Sequence, residues 1–114
     1  METPVITAEL FHSVDLRVGR ITAAENFKAA RNPSFLLQID FGPEIGILKS
    51  SAQITRRYEA SELLGKQVVA VVNLPPRQIG PIRSQCLILG AVPGSGDVSL
   101  LGVDHEIEPG TRIA

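Results

Sequence analysis

Along much of the chain, apolar residues recur at every second position in short runs separated by Gly and Pro. That spacing predicts β-strands, whose successive side chains point to opposite faces, and many short strands between turn signals predict an all-β barrel or sandwich. In FLLQIDF, Phe35, Leu37, Ile39 and Phe41 share one face, with Gln38 and Asp40 on the other. Gly42-Pro43 turns the chain into IGILKS, where Ile45 and Ile47 continue the apolar face. The earlier run VDLRVGRITA places Val14, Leu16 and Val18 on one side, then slips by one position to Ile21 and Ala23 after Gly19. A slip at a glycine predicts a bulge or bend there, because one extra residue exchanges the two faces of a strand. A first strand bent in this way can serve two sheets.

QVVAVVN breaks the alternation, being apolar on both faces from Val68 to Val72. A helix or a partner chain must then cover its outer face. SSAQITRRYEASELLG loses the two-residue period altogether: Ser50 or Ser51 is suited to cap a short helix carrying Arg56 and Arg57, Glu62-Leu63-Leu64 to form a further turn, and Gly65 to end it. SQCLILGA, residues 84–91, reads as a fifth strand. DVSLLGVDHEIEPGTRIA adds a short strand signal at Val98–Leu101 and a turn at Pro109-Gly110. The pattern therefore predicts a five-stranded OB-fold barrel (the oligonucleotide/oligosaccharide-binding architecture) with a bent first strand, a short helix between strands 3 and 4, and an ordered C-terminal extension. A chain of 114 residues is expected to make one domain.

Composition narrows the function classes. With 44% apolar and 20% charged residues, and no apolar run long enough to span a bilayer, the chain reads as a soluble protein without membrane insertion. Its start, METPVITAEL, lacks the basic residues and apolar core of a signal peptide, so a cytoplasmic location is expected. One Cys and two His supply no zinc ligand set, and no cofactor is expected. His12, His105 and Ser84 stand at no catalytic spacing, which points away from an enzyme. The net charge is −1, but it is unevenly spread: residues 16–96 hold ten of the eleven basic residues against five acids, between acidic ends. A basic middle suits an anionic partner.

The densest cluster of candidate chemistry is NLPPRQIGPIRSQ, between the fourth and fifth strands. Pro75 and Pro76 stiffen the connection and end strand pairing. Arg77 and Arg83 flank the loop, where guanidinium groups pair with phosphates or stack on unpaired bases. Asn73 either caps the turn or offers donors to a ligand, and Ser84 lies beside Arg83. With Lys49 at the end of the third strand and Arg56-Arg57 beyond it, these residues outline a rim of positive charge at one end of the barrel. Arg17 and Arg20 point out of the first strand, to be solvated or paired with a carboxylate. Phe27 either lines an apolar peptide pocket with Leu36 or folds onto the core. With four Phe, one Tyr and no Trp, stacking platforms are few, which favours recognition of RNA shape and backbone.

The segments VDLRVGRI, FLLQIDFG, ILKSSAQIT, LLGKQVVAVVNLPPRQI and RSQCLILGA together resemble the stand-alone tRNA-binding domain family, in particular its CsaA-type members. The similarity runs from about residue 10 to the C-terminus. It implies an OB-fold homodimer that binds tRNA or unfolded preproteins of the export route without catalysis. The family's loop motif falls on Asn73, Pro76, Arg77, Ile79 and Ser84. The chain departs from it at Leu87, where many relatives carry Met, and at Pro81, where a glycine is usual and Gly80 stands one place earlier.

Overall fold

The computed structural model describes residues 2–114. Its strands are β1 (Leu16–Asn26), β2 (Phe35–Asp40), β3 (Ile47–Ala52), β4 (Gln67–Val71), β5 (Arg77–Ile79), β6 (Ile82–Ser84), β7 (Leu87–Ile88), β8 (Gly90–Ala91) and β9 (Ser99–Leu100). Three short helices join them: α1 (Ala8–His12), α2 (Gly42–Ile45) and α3 (Ala60–Leu63). Five strands pair antiparallel in the order β3-β2-β1-β4-β7, β5 and β6 form a separate hairpin, and β8 and β9 a two-stranded ribbon. The result is a nearly closed five-stranded antiparallel barrel of the OB type.

The long first strand does serve two partners. Leu16–Arg20 pair with β4 and Arg20–Asn26 with β2. The register slip lies between Ile21 and Ala23, so the bulge sits at Thr22 and not at Gly19. Gly19 does a different job: a Cβ there would stand 2.5 Å from Ile39 Cγ2 and 2.7 Å from Phe41 Cε1, so its bare backbone makes room for the packed ring.

Phe35, Leu37, Ile39 and Phe41 fill the barrel as their alternation predicts, with Ile21, Val68, Ala70 and Leu63. Ile45 packs against this core as expected, but the inward face does not continue to Ile47. Gly42–Ile45 close a helical turn, and Ile47 emerges exposed, leaving Leu48, Ser50 and Ala52 as the inner side of β3. Ser50 and Ser51 consequently lie within β3 and cap nothing. The helix between strands 3 and 4 is one turn, α3, begun by Glu59 in a reciprocal capping box with Glu62; Gly65 follows with φ 83°.

The outer face of β4 is covered by the chain's own later segments. Val69 and Val71 pack with Leu16 in a second cluster roofed by Leu89, Val103 and Ile113. The C-terminal segment is held there by backbone bonds to β1: Gly110 N–H to Val18 O at 2.7 Å, Val18 N–H to Thr111 O at 2.9 Å, and Ile113 N–H to Leu16 O at 2.8 Å. It occupies the edge of β1 that β2 leaves unpaired. Gly42 and Gly110, both at positive φ, face each other where it docks, and a Cβ on Gly42 would stand 2.6 Å from Pro109 O.

Candidate nucleic-acid interface

The connection from β4 to β7 is a stiff arm carrying a hairpin. Pro75 and Pro76 cannot donate to a ladder, so pairing with β1 stops and the chain leaves the barrel. Arg77–Ile79 then pair with Ile82–Ser84 across a two-residue turn, Gly80-Pro81. Gly80 has φ 56°, the left-handed backbone that the first turn position of a tight hairpin requires. The departure at Gly80-Pro81 thus forms a well-defined turn. On the far side the hairpin returns to β3 and closes the barrel: the Ser51 N–H donates to Ser84 Oγ at 3.1 Å, and Gln85 exchanges two bonds with Lys49, from its own N–H at 2.8 Å and to its Oε1 at 2.9 Å. Ser50, buried in the same seam, donates to Cys86 O at 3.2 Å. Burial pushes the Cys86 thiol up to about 11, against the opposing hydrogen bond from Ser50.

Asn73 uses its amide on the protein. Its Oδ1 accepts from Asp15 N–H at 2.9 Å and its Nδ2 donates to Ser13 O at 2.8 Å, which fixes the chain entering β1. Asn73 and Ser84 therefore shape the arm and the seam directly.

The cations divide into spent and available groups. Arg17 pairs with Asp15 at 2.6 Å and Arg20 with Glu106 at 2.6 Å, so the acidic ends of the sequence fold back onto the first strand. Arg56 and Arg57 lie on a turn before α3 and not on a helix, because β3 runs on to Ala52 and Glu59 starts α3 only afterwards. Their guanidinium groups hold the loop between β8 and β9, Arg56 donating to Ser95 O at 2.6 Å and Arg57 to Asp97 O at 3.2 Å. Lys49, Arg77 and Arg83 are exposed and, among the described residues, in no ion pair. Lys28 and Arg31 join them. They stand in the loop between β1 and β2, and that loop meets the hairpin where a Cβ on Gly80 would lie 3.4 Å from Ala29. Their signal was present in the chain: two cations in the loop that OB barrels place beside the connection between strands 4 and 5. No Asp or Glu occurs in residues 26–39, 45–58 or 63–96, so the loop, β3 and the arm carry basic residues and no acid of their own.

Two cavities flank the hairpin. One, about 390 Å³, lies between it and the β1–β2 loop, with Arg31, Asn32, Gln53, Arg77 and Gln78 on its walls. The other, about 270 Å³, lies under the arm, with apolar walls of Leu74, Pro75, Ile79 and Leu87 and a floor of Ser84, Gln85 and Cys86. Arg77, Ile79 and Ser51 line both. Phe27 lines neither: it is buried, because the β1–β2 loop closes on itself through Phe27 N–H to Ser34 O at 3.0 Å, and it takes the core alternative. Leu36 is half-buried on β2, opposite Ser51.

Residues 16–112 match the family described as "Putative tRNA binding domain". Among solved structures, the chain is 49% identical to the chaperone CsaA of Bacillus anthracis str. Ames, covering 97% of this chain and 100% of that one with a TM-score of 0.92. It is 47% identical to the CsaA chaperone protein of Picrophilus torridus, over 96% and 100% of the two chains, with a TM-score of 0.90. Among curated proteins, a methionine–tRNA ligase of Thermotoga maritima is 39% identical over 114 residues, 99% of this chain and 17% of the ligase. The chain spans about one-sixth of the length of the curated ligases it matches.

Proposed function

The chain belongs to the tRNA-binding domain family, and from that membership we propose that it is a non-catalytic, cytoplasmic, homodimeric tRNA-binding protein that works through the basic end of its barrel. The carrying observation is that Lys28, Arg31, Lys49, Arg77 and Arg83 lie on one loop, one strand and the hairpin that meets both, outside every ion pair among the described residues. Cations held this way contact phosphates and fix the orientation of a folded RNA without reading its sequence. The stiff arm places Arg77 before the ligand arrives, so little of the binding energy is lost to ordering it. Arg56 and Arg57 support the neighbouring loop in this reading and do not contact RNA.

The test is a tRNA titration across salt. Each phosphate contact contributes about −0.7 to −0.9 to the slope of log affinity against log salt. R77A is expected to weaken binding of different tRNAs about equally and to reduce the slope by about one contact. Binding that ignores salt, or an R77A protein that binds like the parent, would sink the proposal.

A second reading rests on a separate observation. A cavity of about 410 Å³ follows the seam between β3 and β7, and its walls are largely apolar: Ile54, Leu87, Ile88, Val92, Val98 and Leu100. Similarity to the two CsaA chaperones supports a role for it in holding unfolded polypeptide, export preproteins included. Such binding would survive moderate salt, whereas tRNA binding would not.

A further inference from the structure

The cavity under the arm has features that phosphate contacts alone do not use. Its walls are apolar and rigid: Pro75 has a fixed ring, and Leu74, Ile79 and Leu87 stand around the opening. Its floor is polar with half its capacity spent. Ser84 Oγ already accepts from Ser51 N–H, and Gln85 Oε1 from Lys49 N–H. What remains is largely donor: the Ser84 hydroxyl hydrogen and the Gln85 amide hydrogens. No carboxylate lines the cavity, and Arg77 stands where it meets the cleft containing Arg31. At about 270 Å³ it lies just under the roughly 300–1,000 Å³ of sites for drug-sized ligands. That is room for one planar ring system.

We propose that this cavity receives a single unstacked nucleobase of the bound RNA, with Arg77 holding an adjoining phosphate. The chemistry fits such a guest on three counts. A base has apolar faces for the walls of Leu74, Pro75, Ile79 and Leu87. Its carbonyl oxygens and ring nitrogens are acceptors for the remaining donors of Ser84 and Gln85, which an apolar side chain would leave unpaired. Its phosphates are anionic where the cavity mouth is cationic. An extruded base held by edge contacts and apolar walls needs no aromatic platform, which agrees with the scarcity of aromatic residues in this chain. This inference rests on the tRNA reading and adds to it a site for an unpaired base.

The experiment compares two pentanucleotides of equal charge, uridine pentamer and the same pentamer with an abasic centre, for affinity; tRNA binding is measured in parallel. The intact pentamer is expected to bind about tenfold more tightly. L74W, which fills the cavity from its half-exposed rim, is expected to abolish that preference while leaving the salt slope for tRNA unchanged; L87W repeats the test from the opposite wall. Equal affinity for the two pentamers, or a preference that survives in both variants, would overturn the base site while leaving tRNA binding standing. Failure of tRNA itself to bind would overturn both readings.

Discussion

Asp15 shows how much a single position can organise in this protein. Its backbone N–H is held by Asn73, and its carboxylate receives Arg17 Nε at 2.6 Å, while Arg17 Nη1 reaches on to Gly110 O at 3.0 Å. One pair thus ties the entry to β1 to the C-terminal segment. The hydrogen bond from Arg17 holds the Asp15 carboxyl below its ordinary value of 3.8, with desolvation opposing and the charges of Arg17 and Arg112 assisting. A carboxyl with a lowered folded value favours the native state above its unfolded value, and that contribution disappears as pH falls through the folded value. The expected result is that D15N is the less stable protein at pH 6 and that its deficit shrinks when urea midpoints are compared at pH 6, 4 and 2.5. A constant deficit across that range would show that the pair contributes nothing through ionisation. At this scale residue type was legible in the sequence and partner was not. Arg17 and Arg20 were expected to be solvated or paired with a carboxylate, and nothing near them in sequence says that one partner would be Glu106. Asn73 likewise reaches 60 residues back to Ser13, and only the fold brings the two together.

Among the elements, β4 links sequence pattern to architecture most directly. Its two apolar faces were evident, and so was the need for a cover, but the cover was sought in a helix or a second chain. The segment ending in GTRIA supplies it, through one short stretch of pairing with β1 that carries no strand-length alternation of its own. V103A/I113A removes the two roof residues contributed by that segment. It is expected to destabilise the protein by about 2 kcal/mol, since both side chains are half-buried and each loses part of the 1.5–3 kcal/mol of a fully buried aliphatic. The checks are a denaturant midpoint and amide exchange, which should quicken along β4 and the first half of β1 and stay slow in β2. Uniform acceleration would mean that the segment stabilises the whole barrel and not this face. Elements with strict alternation and frequent turn signals were recovered, β2 and the first half of β1 above all. The misreadings fell where period gave way to closure: Ser50 and Ser51 resemble helix caps locally, yet their hydroxyl and amide complete the seam with Cys86 and Ser84, and that demand arises only once a barrel closes. The stiff connection was readable from Pro75 and Pro76, whereas the meeting of its Gly80-Pro81 tip with Ala29 was not, and so Lys28 and Arg31 went unmarked.

For the molecule as a whole, the N-terminal arm is the least satisfied part. Helix α1 is properly begun by Thr7 Oγ1, which accepts from Leu10 N–H at 3.0 Å, and its far end is tied by Arg112 Nη2 to His12 O at 2.7 Å and by Asn73 to Ser13. Yet none of its residues is buried, and Ile6, Leu10 and Phe11 stand exposed with Val5. A five-residue helix has too few internal hydrogen bonds to persist on its own, so apolar side chains displayed this way call for a covering surface. In the proposed dimer that surface is the second copy, in the isologous arrangement usual for paired identical chains. The consequence for function is arithmetic. Two cationic ends joined in one particle engage one folded RNA with an avidity that exceeds single-site binding by about 10²–10⁴ when the geometry permits both contacts. L10D/F11D leaves the barrel, the arm and every proposed contact in place while making the helix face unfit for burial. Sedimentation at micromolar concentration is expected to give twice the chain mass for the parent and the single mass for the variant, with tRNA affinity lower by about a hundredfold and the salt slope about halved, because half the phosphate contacts are gone. A parent of single mass would remove the dimer, and a monomeric variant that bound tRNA undiminished would show that one barrel end is sufficient.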